Sequence, residues 1–182
     1  LYEDMLRTFK VTHFYFTGTD RVNLLRVHAP TRHGDFIDRL TMDQAENSGS
    51  VASGVELGPL GTFTLRVVVP WYQPQTHQLI GYVELGMEID HVIDKLRDLF
   101  GVAIFTFVKK DFLERERWEV GMRTFGRTPH WDHYPNLVEG NQTANAIPAL
   151  LDDKLKRGAH ITGDNIMGLV HKGISYRATA LA

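Results

Sequence analysis

Gly54-Val55-Glu56-Leu57-Gly58-Pro59-Leu60-Gly61-Thr62-Phe63-Thr64-Leu65-Arg66-Val67-Val68-Val69-Pro70-Trp71 reads as a glycine-punctuated turn feeding a strongly β-prone strand. β-branched and aromatic residues bracket Arg66 on both sides, which places the strand in the sheet of a packed domain. A guanidinium in that setting needs a partner, because an unpaired buried charge is costly. That partner is either a protein carboxylate or a bound ligand, and the strand alone leaves both open.

Working outward, residues 11–17 alternate β-formers, Gly18-Thr19-Asp20 makes a turn, and residues 22–29 form a second strand ended by Pro30. Residues 1–10 read as the tail of a helix, with Leu6 and Phe9 able to face a core. Residues 35–47 have helical spacing, with Asp35 as a cap and Gly49 as a stop. Three β-prone runs follow at 51–57, 62–72 and 79–88, then a helix at 91–100 closed by Gly101. The plan then begins again: a strand at 102–108, a helix at 111–125, a strand at 136–142, a short helix at 147–156, and a hairpin from 166–170 and 174–180. Strands and helices in this order predict α+β with antiparallel sheets rather than βαβ units. The expected division is residues 1–100 and a smaller second half, 101–182.

Strand alternation sorts the side chains into faces. One parity collects Phe14, Phe16, Leu25, Val27, Leu65, Val67, Val83 and Leu85, an apolar face expected to pack on a long element such as the N-terminal helix. The other collects His13, Tyr15, Arg26, His28, Thr64, Arg66, Tyr82 and Glu84. A solvated face would favour Lys, Glu, Ser and Thr, yet this one has no Lys at all. Two readings follow. Arg26 and Arg66 form cross-strand ion pairs with Glu84, Glu56 or Glu88, or Arg, Tyr, Trp and His surround a small anion, the planar guanidinium fork gripping a carboxylate.

Composition narrows the partners. A chain of 182 residues with 43% hydrophobic and 23% charged residues is an ordinary globular one, large enough for a substantial core. A net charge of −2 and the lack of any basic run argue against nucleic acid. Cysteine is absent, which removes disulfides, thiolate metal sites and thiol catalysis together. No window is apolar enough for a membrane span, and there is no signal peptide. The chain starts at Leu1 and reads as a piece of something longer, which leaves targeting and membrane segments to its flanks. Pro129-His130-Trp131-Asp132-His133-Tyr134 lacks a third and fourth metal ligand at a recognised spacing, so no metal or cofactor is expected. Trp118 and Met122 lie one helical turn apart and read as core. Glu56, Glu84 and Glu88 could serve a hydrolase, but no nucleophile motif accompanies them.

Several segments resemble a known family. Val11-Thr12-His13-Phe14-Tyr15-Phe16, Leu24-Leu25-Arg26-Val27-His28 and Gly34-Asp35 are similar to the opening of a double-Cache extracytoplasmic sensor domain. Glu56 through Val68, then Ile80-Gly81-Tyr82-Val83-Glu84-Leu85-Gly86, Trp118-Glu119 and Gly121-Met122 continue the likeness, which is looser beyond Thr128. The resemblance implies two PAS-like modules in tandem, antiparallel sheets flanked by helices, stacked on an N-terminal helix. It also implies that the chain starts near the end of that helix and stops before the second module's final strand. The implied setting is the periplasmic or extracytoplasmic part of an inner-membrane receptor: a histidine kinase of a two-component system, a chemotaxis receptor or a diguanylate cyclase. Such a domain has no catalysis of its own. Arg26 and Arg66 would hold a small anionic ligand, a carboxylate; Tyr15, His13, His28 and Tyr82 would line it, and Trp71 would close one side. Partners would be that ligand and, through self-association, a homodimer. The rivals are a dimerisation or protein-contact domain with a vestigial pocket, and a hydrolase using the same polar face.

Overall fold

The computed structural model describes residues 1–58, 60–124, 126–159, 167–171 and 174–178. The chain divides into two compact units, Leu1–Gly58 with Thr62–Lys95, and Pro59–Gly61 with Leu96–Ala182.

In the first unit, helix α1 (Tyr2–Phe9) precedes strands β1 (His13–Thr17) and β2 (Asn23–Arg26). Helix α2 (Leu40–Ser48) leads into β3 (Ala52–Leu57), β4 (Phe63–Tyr72) and β5 (Leu79–Glu88), and α3 (Asp90–Phe100) follows, its residues from Leu96 onward belonging to the second unit. The five strands form one antiparallel sheet in the order β2-β1-β5-β4-β3. An α+β unit with such a sheet and flanking helices is compatible with a PAS-like fold. The strands follow the β-branched runs closely, whereas α2 begins five residues later than its spacing predicts. Asp35 does not cap it. The α2 N-terminus instead receives Glu56 from β3, whose Oε1 accepts the Thr41 N–H at 2.7 Å, a carboxylate placed where the helix dipole favours it.

α2 lies over β3 and β4, and beneath it Ile37, Met42, Ala45, Ala52, Val68 and Tyr82 form an apolar cluster. The covered face is therefore the polar parity. The apolar parity is less buried: Phe16, Leu65, Val67, Val83 and Leu85 are half-buried, and Leu25, Val69 and Trp71 are exposed. α1 buries none of its residues, and Leu6 and Phe9 are exposed. Its eight residues span about 12 Å, too little to cover five strands spaced ~4.8 Å apart.

The second unit contains β6 (Phe105–Lys109), α4 (Arg115–Thr124), β7 (Leu137–Gln142), α5 (Ala149–Lys156), β8 (Met167–His171) and β9 (Ile174–Ala178). β6 pairs with β7 and β8 with β9, both antiparallel, as two separate two-stranded sheets among the described residues. Ile166, Thr179 and Ala180, the ends of the expected hairpin runs, lie outside the described residues. Tyr134, Leu151 and Leu155 form its core with Phe107, Leu137 and Ile147. No helix of the described residues is long and apolar enough to cross a membrane.

Candidate functional site

Strand register brings the polar residues together. Tyr15 on β1 faces Arg26 on β2 and Glu84 on β5, and Glu84 faces Val68 on β4, two positions along from Arg66. Each of the three arginines gathered here meets a carboxylate. Arg66 is 4% exposed; its Nη1 donates to Glu84 Oε1 at 2.5 Å and its Nε stands 3.3 Å from Glu56 Oε2. Arg26 is 6% exposed and donates both Nη atoms to Asp35 at 2.6 and 2.5 Å, and Nη1 also to the Arg32 carbonyl. Arg39, just ahead of α2, donates to the same Glu84 oxygen that Arg66 uses and reaches the Tyr15 hydroxyl at 3.5 Å. Arg26 and Arg39 both lie against the Tyr15 ring, 5.3 and 5.0 Å from its centroid, within cation–π range.

The histidines fill the space between β1 and the end of β2. The Phe14 backbone N–H donates to His28 Nδ1 at 3.1 Å, which puts the proton of the neutral ring on Nε2. His28 meets His13 and Tyr15 edge-on, at 5.1 and 5.0 Å between centroids. Burial, then the charges of Arg66, His28, Arg39 and Arg26, push the His13 pKa down to about 3. Burial likewise lowers that of His28, and both rings are neutral near pH 7. The Arg26 guanidinium holds Asp35 at about 2. Burial raises Glu88, whose Oε1 lies 3.8 Å from His13 Nδ1.

The His13 shift makes a prediction. An unfolded histidine titrates near 6.5, so below that pH the unfolded chain takes up a proton that folded His13 refuses. This contribution to stability is complete above about pH 6.5 and is lost as pH falls towards 3, with a slope of at most ~1.4 kcal/mol per pH unit. Glu88, shifted upwards, offsets part of the loss near its own titration. Urea unfolding between pH 7 and 4 should show the decline, and His13→Gln should flatten it. An unchanged slope in the variant would place the acid sensitivity elsewhere.

Of the residues singled out from sequence, His13, Tyr15, Arg26, His28 and Arg66 come together here. Tyr82 shares their face but joins the apolar cluster under α2, with Glu46 and Arg21 as its charged neighbours. Trp71 does not close the site: it lies on the other face, 49% exposed, against Phe16. Arg39 was missed because helical spacing placed it inside a helix, and Asp35 because it read as a cap. In the other unit, Asp132 pairs with Arg115 at 2.9 Å and His133 with Asp152 at 3.3 Å. Among the described residues no three histidines or carboxylates converge as a metal site.

Among the described residues of the first unit, Thr17 Oγ1, Asn23 Oδ1, Thr41 Oγ1 and Glu84 Oε2 are buried without a protein hydrogen-bond partner, and Arg66 Nε meets the Glu56 carboxylate at 3.3 Å as an ion pair out of hydrogen-bond alignment. Thr41 packs over Gly54, which is the β3 residue opposite Arg66, so Thr41 and Glu84 lie at the arginine pair network. Such groups are uncommon in folded proteins and each asks for a partner.

No protein-family model matches the sequence, and no curated protein matches it. Among solved structures, the crystal structure of the E. coli DcuS sensor domain is similar to this chain at 24% identity, covering 53% of this chain and 69% of that one with a TM-score of 0.45.

Proposed function

We propose that the chain is a ligand-binding sensor domain from the extracytoplasmic part of a bacterial transmembrane receptor, and that its first unit takes a small anion, a carboxylate, over Arg26 and Arg39. The observation that carries this reading is the pair of guanidiniums, Arg26 and Arg39, that both lie against the Tyr15 ring. Asp35 fills the Arg26 fork from a half-exposed position, so a ligand carboxylate could replace it like for like. Arg66 then serves as an inner charge held by Glu84 and Glu56. Tyr15, His13 and His28 supply the wall.

The resemblance to double-Cache domains supports the receptor setting, with a histidine kinase, chemoreceptor or diguanylate cyclase as the parent. We assign no catalysis to the domain: of the three carboxylates a hydrolase would use, Glu84 and Glu56 both pair with Arg66, and Glu88 lies apart, 3.8 Å from His13 Nδ1. The ligand biases the parent only by the difference in its affinity for two conformations.

A thermal-shift panel of acetate, lactate, malonate and simple amino acids tests the reading. A true ligand at about a hundred times its Kd adds roughly 2.7 kcal/mol of stability, and Arg39→Gln should remove that gain while the chain stays folded. A second reading, a protein-contact domain with a vestigial pocket, is favoured by the pairing of Arg66 on both sides. It predicts no response across the panel and concentration-dependent self-association in sedimentation.

A further inference from the structure

Arg26 sits on β2, an edge strand of the first unit's sheet, and beyond that edge the chain doubles back. The Asn23 N–H donates to the Asp35 carbonyl at 2.9 Å, the Gly34 N–H to the Asn23 carbonyl at 2.8 Å, and the Ile37 N–H to the Arg21 carbonyl at 2.9 Å. These bonds pin residues 34–37 by their main chain. Arg26 adds a side-chain hold, donating to the Arg32 carbonyl at 2.8 Å and to both carboxylate oxygens of Asp35. The Asp35 backbone is therefore fixed whether or not its carboxylate stays in the fork. A change of rotamer is enough to turn that carboxylate out to water.

Three guanidiniums meet three carboxylates on this face: Arg26 with Asp35, Arg39 and Arg66 with Glu84, and Arg66 also with Glu56. The carboxylates differ in their freedom to leave. Glu84 is wholly buried and shared between two arginines. The Glu56 side chain is 13% exposed and holds the Thr41 N–H, whereas that of Asp35 is 50% exposed. Arg26 is almost wholly buried, and a guanidinium there without a counter-charge is costly. One carboxylate has to fill its fork at all times, and of the three only Asp35 is free to exchange.

We infer that Asp35 is a built-in competitor in the Arg26 fork, and that the ligand is a singly charged carboxylate that takes its place. The inference rests on the sensor reading of this unit and narrows it. One charge leaves the fork and one enters, so the balance is kept. A second negative charge on the same ligand would meet Arg39 and Arg66 already committed to Glu84. The Tyr15 ring, its centroid 5.3 Å from the Arg26 guanidinium carbon, is the adjoining wall. The competitor also sets the affinity, because a fork open for only a fraction of the time binds more weakly by that fraction.

Asp35→Ala removes the side chain and makes room for free acetate, which carries the same carboxylate. Thermal unfolding of the whole chain at pH 7 is followed against acetate, with chloride at equal ionic strength, acetamide as the neutral isostere and malonate as the dianion. Acetate should stabilise the variant with an affinity at least about tenfold above that for the wild type. Acetamide and malonate should do no more than chloride. Asp35→Asn keeps the shape and loses only the charge, so it serves in the same titration if the alanine variant does not fold, and it too should bind acetate more tightly than the wild type. Acetate acting no better than chloride, or equally on variant and wild type, overturns the competitor; malonate matching acetate overturns the single charge. The two readings fail apart. A wild-type chain silent to every carboxylate removes the sensor reading, whereas a wild-type response that the Asp35 variants leave unchanged removes only the competitor.

Discussion

Glu84→Ala should destabilise the first unit by about 3–5 kcal/mol, the cost of stripping the partner from a buried ion pair. Glu84 is wholly buried, and one of its oxygens serves both Arg66 and Arg39. Truncation leaves Arg66 with Glu56 alone, at 3.3 Å from Nε, in a site where it is 4% exposed. Arg39 is less confined and can turn towards water, so the penalty falls mainly on Arg66. Replacing the charges together, with Glu84→Met and Arg66→Met, should recover much of the loss, because matched apolar groups carry no desolvation cost. Urea denaturation of the single and the double variant measures this directly. A cost below about 1 kcal/mol for the single variant would mean that water reaches the arginines and that the pair is a surface one.

The second large effect is expected at Gly81, on β5 next to the Tyr82–Thr17 pair of β1. Its φ is 151°, and a Cβ there would stand 2.3 Å from the Thr17 backbone oxygen. The obstacle is main chain, so no rotamer change relieves it, and β5 would have to move off β1. Overpacking costs about 1–3 kcal/mol and a disfavoured backbone conformation about 1–3 more, so Gly81→Ala should lose roughly 3 kcal/mol or more. Gly101 is the control: it too has positive φ, at 65°, but nothing lies within 4 Å of its Cβ position. Gly101→Ala should cost only the backbone term, about 1–2 kcal/mol. Equal losses at the two glycines would contradict the close β1–β5 approach.

These effects arise where an apolar sheet pattern carries charge. From the sequence, period-two alternation puts Tyr15, Thr64, Arg66 and Glu84 on one face, and the registers of β1, β4 and β5 place them so. It also offered both carboxylates that Arg66 meets, Glu84 and Glu56. Alternation does not say which face is covered. The apolar parity was the natural choice for burial, yet α2 lies across the polar one, and Leu25, Val69 and Trp71 stay exposed. Asp35 and Arg39 were out of reach for a related reason. Both sit in a segment with helical spacing, and their roles depend on how the chain between β2 and α2 folds back over the sheet.

By itself, then, the sequence determined the strands, their antiparallel pairing and the company Arg66 keeps on its face, because those follow from local alternation and turn chemistry. The tertiary structure alone decided which face is buried, that Glu84 is shared between two arginines, and that Asp35 fills the Arg26 fork. Those outcomes rest on contacts between segments distant in the chain. A buried charge is settled by the partner that folding brings to it, and no spacing within one strand encodes that partner.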